Sequence, residues 1–197
     1  MTKKRCDWFE SLEQKGQKPS KIYVDYHDNE WGVPLRDDNC LFEFLLLECA
    51  QAGLSWEIIL KKREAYRQAF DQFNPYFIQS YTEEKIQSLM NNKGIVRNRL
   101  KIQAFIENAK AFLKVKEEFG SFETYIWSFV NGTPIQNKCK SAMEMPSQSP
   151  VSCSMSKDLK KRGFKFVGPT ICYAFMQATG MVNDHSLDCF RYKQVQA

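Results

Sequence analysis

The stretch Gly163-Phe164-Lys165-Phe166-Val167-Gly168-Pro169-Thr170 separates two segments with helical patterning. Ser156 is a typical N-cap for a first helix that ends at Arg162, and the run from 171 to 178 predicts a second helix that Gly180 ends. Gly168 followed by Pro169 favours a tight turn with proline at the first helical position. The sequence therefore predicts two short helices joined by a hairpin.

Basic residues crowd the first of these helices and the hairpin. Asp158 is the only acid among five bases that fall within nine residues: Lys157, Lys160, Lys161, Arg162 and Lys165. Backbone N–H groups of a hairpin and the N-terminus of the following helix can bind an anion, so this segment predicts contact with phosphates. On these residues alone, the alternative is a plain helical turn with a solvated basic face.

The remaining chain is also patterned for helices. Caps and apolar residues at helical spacing predict helices from Asp37 to Cys49, Ser55 to Phe70, Asn74 onward, Thr82 to Met90, Arg97 to Phe119 and Ser121 to Val130. The helix that follows Asp37 is expected to carry its apolar residues on one side. Residues 131–152 predict one long loop, and no stretch alternates like a strand. The predicted fold class is all-α.

Composition bounds the class of protein. The 197 residues are 43% hydrophobic, which is enough to bury a core, and predict a single domain over residues 1–197. Seven irregularly spaced cysteines and an N-terminus without a signal-like apolar run predict a reduced, cytoplasmic protein. The longest apolar stretch, from Leu41 to Ala50, is too short to cross a membrane. The net charge of +5 is mild and assigns no partner by itself.

The chain contains only two histidines, and each has a possible metal-binding neighbour. His185 and Cys189 are four residues apart, which places them on one face of a helical turn, and Cys6 with His27 is the obvious second pair. These four residues predict a metal site that joins the two ends of the chain. The alternative is a satisfied core histidine beside a buried thiol.

The hairpin resembles the helix-hairpin-helix motif, whose typical form is Leu-Pro-Gly-Val-Gly. Residues 164–168 keep the final Val-Gly and carry Lys165-Phe166 in place of Pro-Gly. In glycosylases of that superfamily a catalytic aspartate follows the second helix, and the matching position here is Asn183. The lyase branch carries a lysine two residues past the hairpin glycine, where this chain has Thr170. The resemblance thus implies an enzyme without imine chemistry.

Several motifs in order resemble the 3-methyladenine DNA glycosylase I (Tag) family. They are Tyr26-His27-Asp28-Asn29-Glu30-Trp31-Gly32-Val33-Pro34, Gln51-Ala52-Gly53-Leu54-Ser55-Trp56, residues 163–172, and Asn183-Asp184-His185 with Cys189. The resemblance implies a helix-hairpin-helix DNA glycosylase fold, with the hairpin motif at about 154–179. It also implies one structural zinc ion bound by Cys6, His27, His185 and Cys189.

The same resemblance implies a pocket for a flipped, cationic base. It assigns Glu48 as the carboxylate that acts on the base and Trp56 as the stacking surface, with Tyr26, Tyr23 and Trp8 as further walls. From the residues alone, an aromatic side chain is more often plain core, and the alternative for Glu48 is a solvent-facing helix residue. Cys49 and Ala50, which follow Glu48, depart from the small or polar residues usual in the family.

DNA contacts are expected at two loops. Leu54, between Gly53 and Ser55, would fill the gap left by the flipped base, although a helix-start contact is the alternative. The hairpin would bind phosphates through Lys165, Phe166, Gly168 and Thr170.

The predicted function is hydrolytic release of 3-methyladenine from alkylated double-stranded DNA by a monomer, with the free base as product and no membrane partner. The alternative is a non-catalytic helix-hairpin-helix DNA-binding module, which Asn183 makes conceivable.

Overall fold

The computed structural model describes residues 3–9 and 18–196 and is mostly helical. Its α-helices are α1 (Lys21–Asn29), α2 (Asp38–Gln51), α3 (Trp56–Ala69), α4 (Pro75–Ile78), α5 (Glu83–Asn91), α6 (Arg99–Phe119), α7 (Phe122–Ser128), α8 (Pro150–Lys161) and α9 (Pro169–Ala178). Two 3-10 helices cover Asp71–Phe73 and Ala142–Glu144. In the described ranges, strand structure is confined to β1 (Ile135–Gln136) and β2 (Val182–Asn183), which pair in parallel. The all-α prediction is confirmed.

Helix α2 forms the centre of the core. Residues 41–50 are all buried, including Glu43 and Glu48, because α3, α6, α7 and α9 pack around the helix. The expectation of a single apolar side is therefore wrong for α2, since a helix enclosed by neighbours buries its whole circumference. This arrangement places two carboxylates inside the protein.

Side-chain caps begin several of the predicted helices. Asp37, Asn74 and Ser121 each accept a backbone N–H hydrogen bond in the first turn of the helix that follows. The predicted cap Ser156 is wrong, because α8 begins at Pro150 with Ser149 as its N-cap. Ser149 offers both a capping hydroxyl and a following proline, so the helix starts earlier and the preceding loop is shorter than predicted.

Ser156 instead lies buried inside α8 and connects this helix to the hairpin. Its hydroxyl donates a 2.6 Å hydrogen bond to the Val167 carbonyl oxygen. Helices α8 and α9 pack closely against each other on either side of the hairpin. Within the described residues, no helix combines the length and apolar character needed to cross a membrane.

Candidate active site and metal-binding cluster

A cavity of about 190 Å³ opens between the segment 3–9 and helices α1, α2, α3 and α9. Aromatic side chains form most of its wall, and three polar side chains and one alanine form the remainder; the lining residues are Trp8, Tyr23, Tyr26, Trp31, Glu48, Gln51, Trp56, Ala174 and Gln177. Glu48 and the four predicted aromatic residues are thus brought to one cavity.

Glu48 is the one carboxylate among these lining residues, and its side chain is buried. Its Oε2 atom has no hydrogen-bond partner within the described part of the chain. Burial raises the pKa of Glu48 to about 8, because removal from water disfavours the charged form. A cationic ligand in the cavity would supply the missing counter-charge.

The aromatic side chains that line the cavity together with Glu48 lie close to one another. The Tyr26 and Trp56 ring centroids are 5.6 Å apart, and those of Trp8 and Tyr23 are 5.2 Å apart. The buried Trp56 Nε1 also lacks a hydrogen-bond partner among the described residues. Burial holds the pKa of Tyr26 well above its usual value, so its hydroxyl stays protonated. Such walls suit a flat, positively charged ring.

Gln177 reaches the cavity from α9, and a buried aspartate fixes its orientation. The Gln177 Nε2 donates a 2.7 Å hydrogen bond to Asp184 Oδ2, which also accepts one from the Tyr173 hydroxyl at 2.7 Å. Asn137 donates to the other Asp184 oxygen at 2.6 Å. Three donors therefore hold this carboxylate and orient the Gln177 amide.

A second buried group combines two cysteines and two histidines. The ligand atoms of Cys6, His27, His185 and Cys189 all lie within 4.8 Å of one another. The sulfur of Cys6 is 3.3 Å from His27 Nε2 and 3.5 Å from His185 Nδ1, and Cys189 Sγ is 3.6 and 3.5 Å from the same atoms. This group could hold a metal ion.

The other nitrogen of each histidine has its own partner. His27 Nδ1 lies 2.9 Å from Asp28 Oδ1, and His185 Nε2 lies 2.9 Å from the Trp31 carbonyl oxygen. Such contacts fix the ring orientation of metal-binding histidines. Trp31 also lines the cavity, and its ring centroid is 4.6 Å from that of His185. The cluster therefore supports one wall of the cavity.

The two loops expected to contact DNA are both exposed. Gly53 has a φ of 82°, and the Leu54 N–H donates to the Gln51 carbonyl, as in a type II turn that favours glycine at this position. Leu54 is 37% exposed at the end of this turn. In the hairpin, Phe166 is 38% exposed with a φ of 55°, and Lys165 and Thr170 are also exposed.

Comparison with known proteins places the chain in a family. The model of the methyladenine glycosylase family matches residues 16–192. The chain belongs to the methyladenine glycosylase family.

Its relatives match this family member over nearly their whole length. DNA-3-methyladenine glycosylase 1 of Escherichia coli (strain K12) is 48% identical over 188 residues, which cover 95% of this chain and 96% of the relative. A crystal structure of 3-methyladenine DNA glycosylase I has a TM-score of 0.88 at 50% identity and covers 95% of this chain and 98% of that chain. A tyrosine-to-phenylalanine variant of such an enzyme in complex with 3-methyladenine has a TM-score of 0.86 at 39% identity, covering 88% and 93%.

Asn183, at the position where superfamily glycosylases carry an aspartate, lies outside the described cavity lining. Its amide nitrogen donates to Gln136 Oε1 at 2.8 Å and to the Tyr192 carbonyl at 3.0 Å. In this family member Asn183 thus joins the β1–β2 pair to the C-terminal segment.

Four lining residues of the cavity were not predicted from the sequence: Trp31, Gln51, Ala174 and Gln177. Trp31 and Gln51 stand within motifs of the family resemblance, which was a usable signal. Ala174 and Gln177 lie on α9, whose apolar pattern predicts only a packed helix, so no sequence signal indicates that this helix reaches the cavity.

Proposed function

We propose that this protein is a DNA glycosylase that releases 3-methyladenine from alkylated double-stranded DNA. The observation that carries the proposal is the buried Glu48 carboxyl group, which has no cationic partner among the described residues and lies among aromatic side chains in a cavity. Family membership and the relatives' activity point to the same reaction.

The chemistry of the damaged base explains why binding is the main task. Methylation at N3 gives adenine a positive charge, which weakens the glycosidic bond and lets the base leave as a neutral molecule. Little proton transfer is then required, and the site must instead distinguish a cationic base from ordinary adenine. Glu48 acts as the counter-charge, because a cation in the cavity favours the ionised carboxylate that burial disfavours.

The aromatic residues are assigned to the same selection. Trp56, Tyr26, Tyr23 and Trp8 would contact the flipped base, and each well-placed ring attracts a cation by about 0.5–2 kcal/mol. Neutral adenine gains no such attraction. Together with Glu48, these rings favour the alkylated base over the normal one.

We assign the exposed loops to the DNA. Leu54, held out by the turn at Gly53, would fill the space that the flipped base leaves in the duplex. Lys165, Phe166, Gly168 and Thr170 would meet the phosphates through the hairpin backbone and the start of α9. Thr170 provides no amine for imine formation, so the reaction is hydrolysis without strand cleavage.

We propose zinc as the ion for the cysteine–histidine cluster, with a structural role. For zinc bonds of about 2.3 Å to sulfur and about 2.0–2.1 Å to nitrogen, a tetrahedral site requires nitrogen–sulfur separations of about 3.5 Å. The four observed separations of 3.3–3.6 Å fit this requirement. Four protein ligands leave no open position for substrate or water.

Metal analysis tests the zinc proposal. The wild-type protein, purified without added metal, should contain one zinc per chain. The Cys189→Ser variant should lose zinc and unfold at a lower temperature. Absence of zinc from the wild-type protein would refute the proposal, as would an unchanged zinc content in Cys189→Ser.

The activity test uses DNA that carries labelled 3-methyladenine. The wild-type protein should release free 3-methyladenine and leave abasic sites without strand breaks. Trp56→Ala should lower the release rate by about tenfold or more, and Glu48→Gln should weaken it because the counter-charge is lost. DNA binding without free base would favour a non-catalytic helix-hairpin-helix module, and normal release by both variants would overturn the cavity assignment.

We further propose that the protein works as a monomer in the cytoplasm, as one domain over residues 1–197 with the helix-hairpin-helix at about 154–179. The seven cysteines all lie in the described ranges and none of them forms a disulfide, which supports a reducing compartment. Sedimentation of the purified protein tests the monomer, and a dimer at micromolar concentration would refute it.

A further inference from the structure

Helix α6 carries two buried polar side chains that bind the backbone of the two exposed loops. Lys101 is 7% exposed and Asn108 is fully buried. They are seven residues apart, which is two helical turns and about 10 Å along one face of the helix. Neither residue is among those that line the cavity, so their roles differ from the role of the residues proposed to contact the base.

Lys101 holds the turn that follows α2. Its ammonium group donates to the Ala50 carbonyl oxygen at 2.8 Å and to the Ala52 carbonyl oxygen at 2.7 Å. These carbonyls belong to the last turn of α2 and the residue just after it, where helices leave acceptors unpaired and where a positive charge is favourable. The turn that presents Leu54 is thereby fixed to α6.

Asn108 holds the hairpin in the same manner. Its Oδ1 accepts a 2.7 Å hydrogen bond from the Lys165 N–H, and its Nδ2 donates to the Lys165 carbonyl oxygen at 3.2 Å. Both main-chain groups of one hairpin residue are therefore bound by one side chain. The next residue, Phe166, has a φ of 55°, an unusual conformation for a large side chain that needs such support.

We infer that Lys101 and Asn108 are positioning residues, through which α6 sets the spacing between the Leu54 turn and the hairpin. A side chain that fills the base gap and a loop that holds the phosphates must engage the same duplex together, so a small shift of either would reduce catalysis. This inference rests on the proposed function for its effect on DNA. Its structural part, the binding of the Leu54 turn by Lys101 and of the hairpin residue Lys165 by Asn108, stands independently.

Paired variants test the inference by amide hydrogen exchange. Lys101→Met should raise exchange at residues 51–55 and leave residues 163–168 unchanged. Asn108→Leu should do the reverse, because the Asn108 side chain bonds the hairpin and the Cys49 sulfur of α2, and neither contact lies within residues 51–55. Lys110→Met removes an exposed lysine from the same helix and should change neither loop. A rise spread over the whole protein in both variants would overturn the inference, since it would mark ordinary core residues.

Function is measured on the same variants. Each should lower kcat/KM on methylated DNA by about ten- to a hundredfold while the dissociation constant for free 3-methyladenine changes less than about twofold. Equal loss of free-base binding would contradict a positioning role.

Salt dependence separates positioning from direct phosphate contact. Removal of a lysine that contacts a phosphate lowers the slope of log affinity against log salt by about one, whereas Lys101→Met should leave the slope unchanged. A lowered slope would overturn the assignment of Lys101. If Lys101→Met does not fold, Lys101→Gln retains a donor for one carbonyl and should show the same loop-specific exchange to a smaller degree.

A wild-type protein that releases no 3-methyladenine would refute the proposed function alone. The exchange experiment would still decide whether Lys101 and Asn108 fix the two loops.

Discussion

The two glutamates of α2, five residues apart, are both buried but have opposite surroundings. Glu43 accepts hydrogen bonds from Arg63 and Arg67, including one of 2.8 Å from Arg67. Within the described part of the chain Glu48 has no such cation, and its Oε2 atom has no hydrogen-bond partner. Burial raises the pKa of Glu48 to about 8.

The difference separates a structural carboxylate from one suited to a ligand. A buried charge is stable only when it is paired, and the two arginines complete that pairing for Glu43 inside the protein. Glu48 stands at the cavity, where an external cation could complete it. Replacing each glutamate with glutamine, which is neutral and similar in shape, tests this difference.

The largest expected effect is on the pH dependence of stability in Glu48→Gln. Because the folded-state pKa is raised from 4.5 to about 8, the wild-type protein loses stability as the pH rises through this range. The variant lacks this loss. The free energy of unfolding of the variant minus that of the wild type should therefore increase by on the order of 3–5 kcal/mol between pH 4.5 and pH 8. Urea unfolding at several pH values measures the difference. A difference that stays constant from pH 5 to pH 8 would show that Glu48 is not destabilised by burial.

A smaller effect with the opposite sign is expected for Glu43→Gln. The neutral amide leaves Arg63 and Arg67 without their shared carboxylate, and their partial exposure limits the cost to about 1–2 kcal/mol. Urea unfolding at pH 7 should show this loss of stability, while release of 3-methyladenine should remain close to that of the wild type. A Glu43→Gln protein as stable as the wild type would remove the contrast between the two glutamates.

The smallest effect concerns proton release when a cation binds. At pH 7 Glu48 is mostly protonated, so binding of a permanently cationic methylated purine should release close to one proton, and affinity should rise by at most about 1.4 kcal/mol per pH unit up to about pH 8. Calorimetry in buffers of different ionisation enthalpy measures the proton count. Glu43→Gln should keep this release and Glu48→Gln should abolish it; equal release by both would assign the proton to another group.

Much of the fold could be predicted because local rules govern helix ends. Asp37, Asn74 and Ser121 cap helices as predicted, since a short polar side chain before an apolar run has few better partners. The same rule misplaced the start of α8, where Ser149 and Ser156 both qualify. Ser149 has the stronger local signal because Pro150 follows it, and the buried Ser156 hydroxyl bonds the Val167 carbonyl oxygen instead of capping the helix.

The sequence predicts the residues that face the base, but it does not predict the residues that hold the cavity wall and the two loops in place. Glu48 and the aromatic residues follow from the family resemblance, and all line the cavity. The sequence does not predict the roles of four polar residues: Gln177, Asp184, Lys101 and Asn108. A polar residue within a helical or loop pattern looks the same whether it faces solvent or binds a distant group of the protein.

The sequence by itself determined where most of the helices lie, the family, and which cysteine and histidine residues come together, because spacing and motif order are local properties of the chain. Only the tertiary structure decided which glutamate of α2 meets arginines and which meets a cavity. It also decided that α6 binds both exposed loops. These outcomes depend on which distant segments of the chain pack against a residue. The burial of a side chain and its ion pairs exist only in the folded protein.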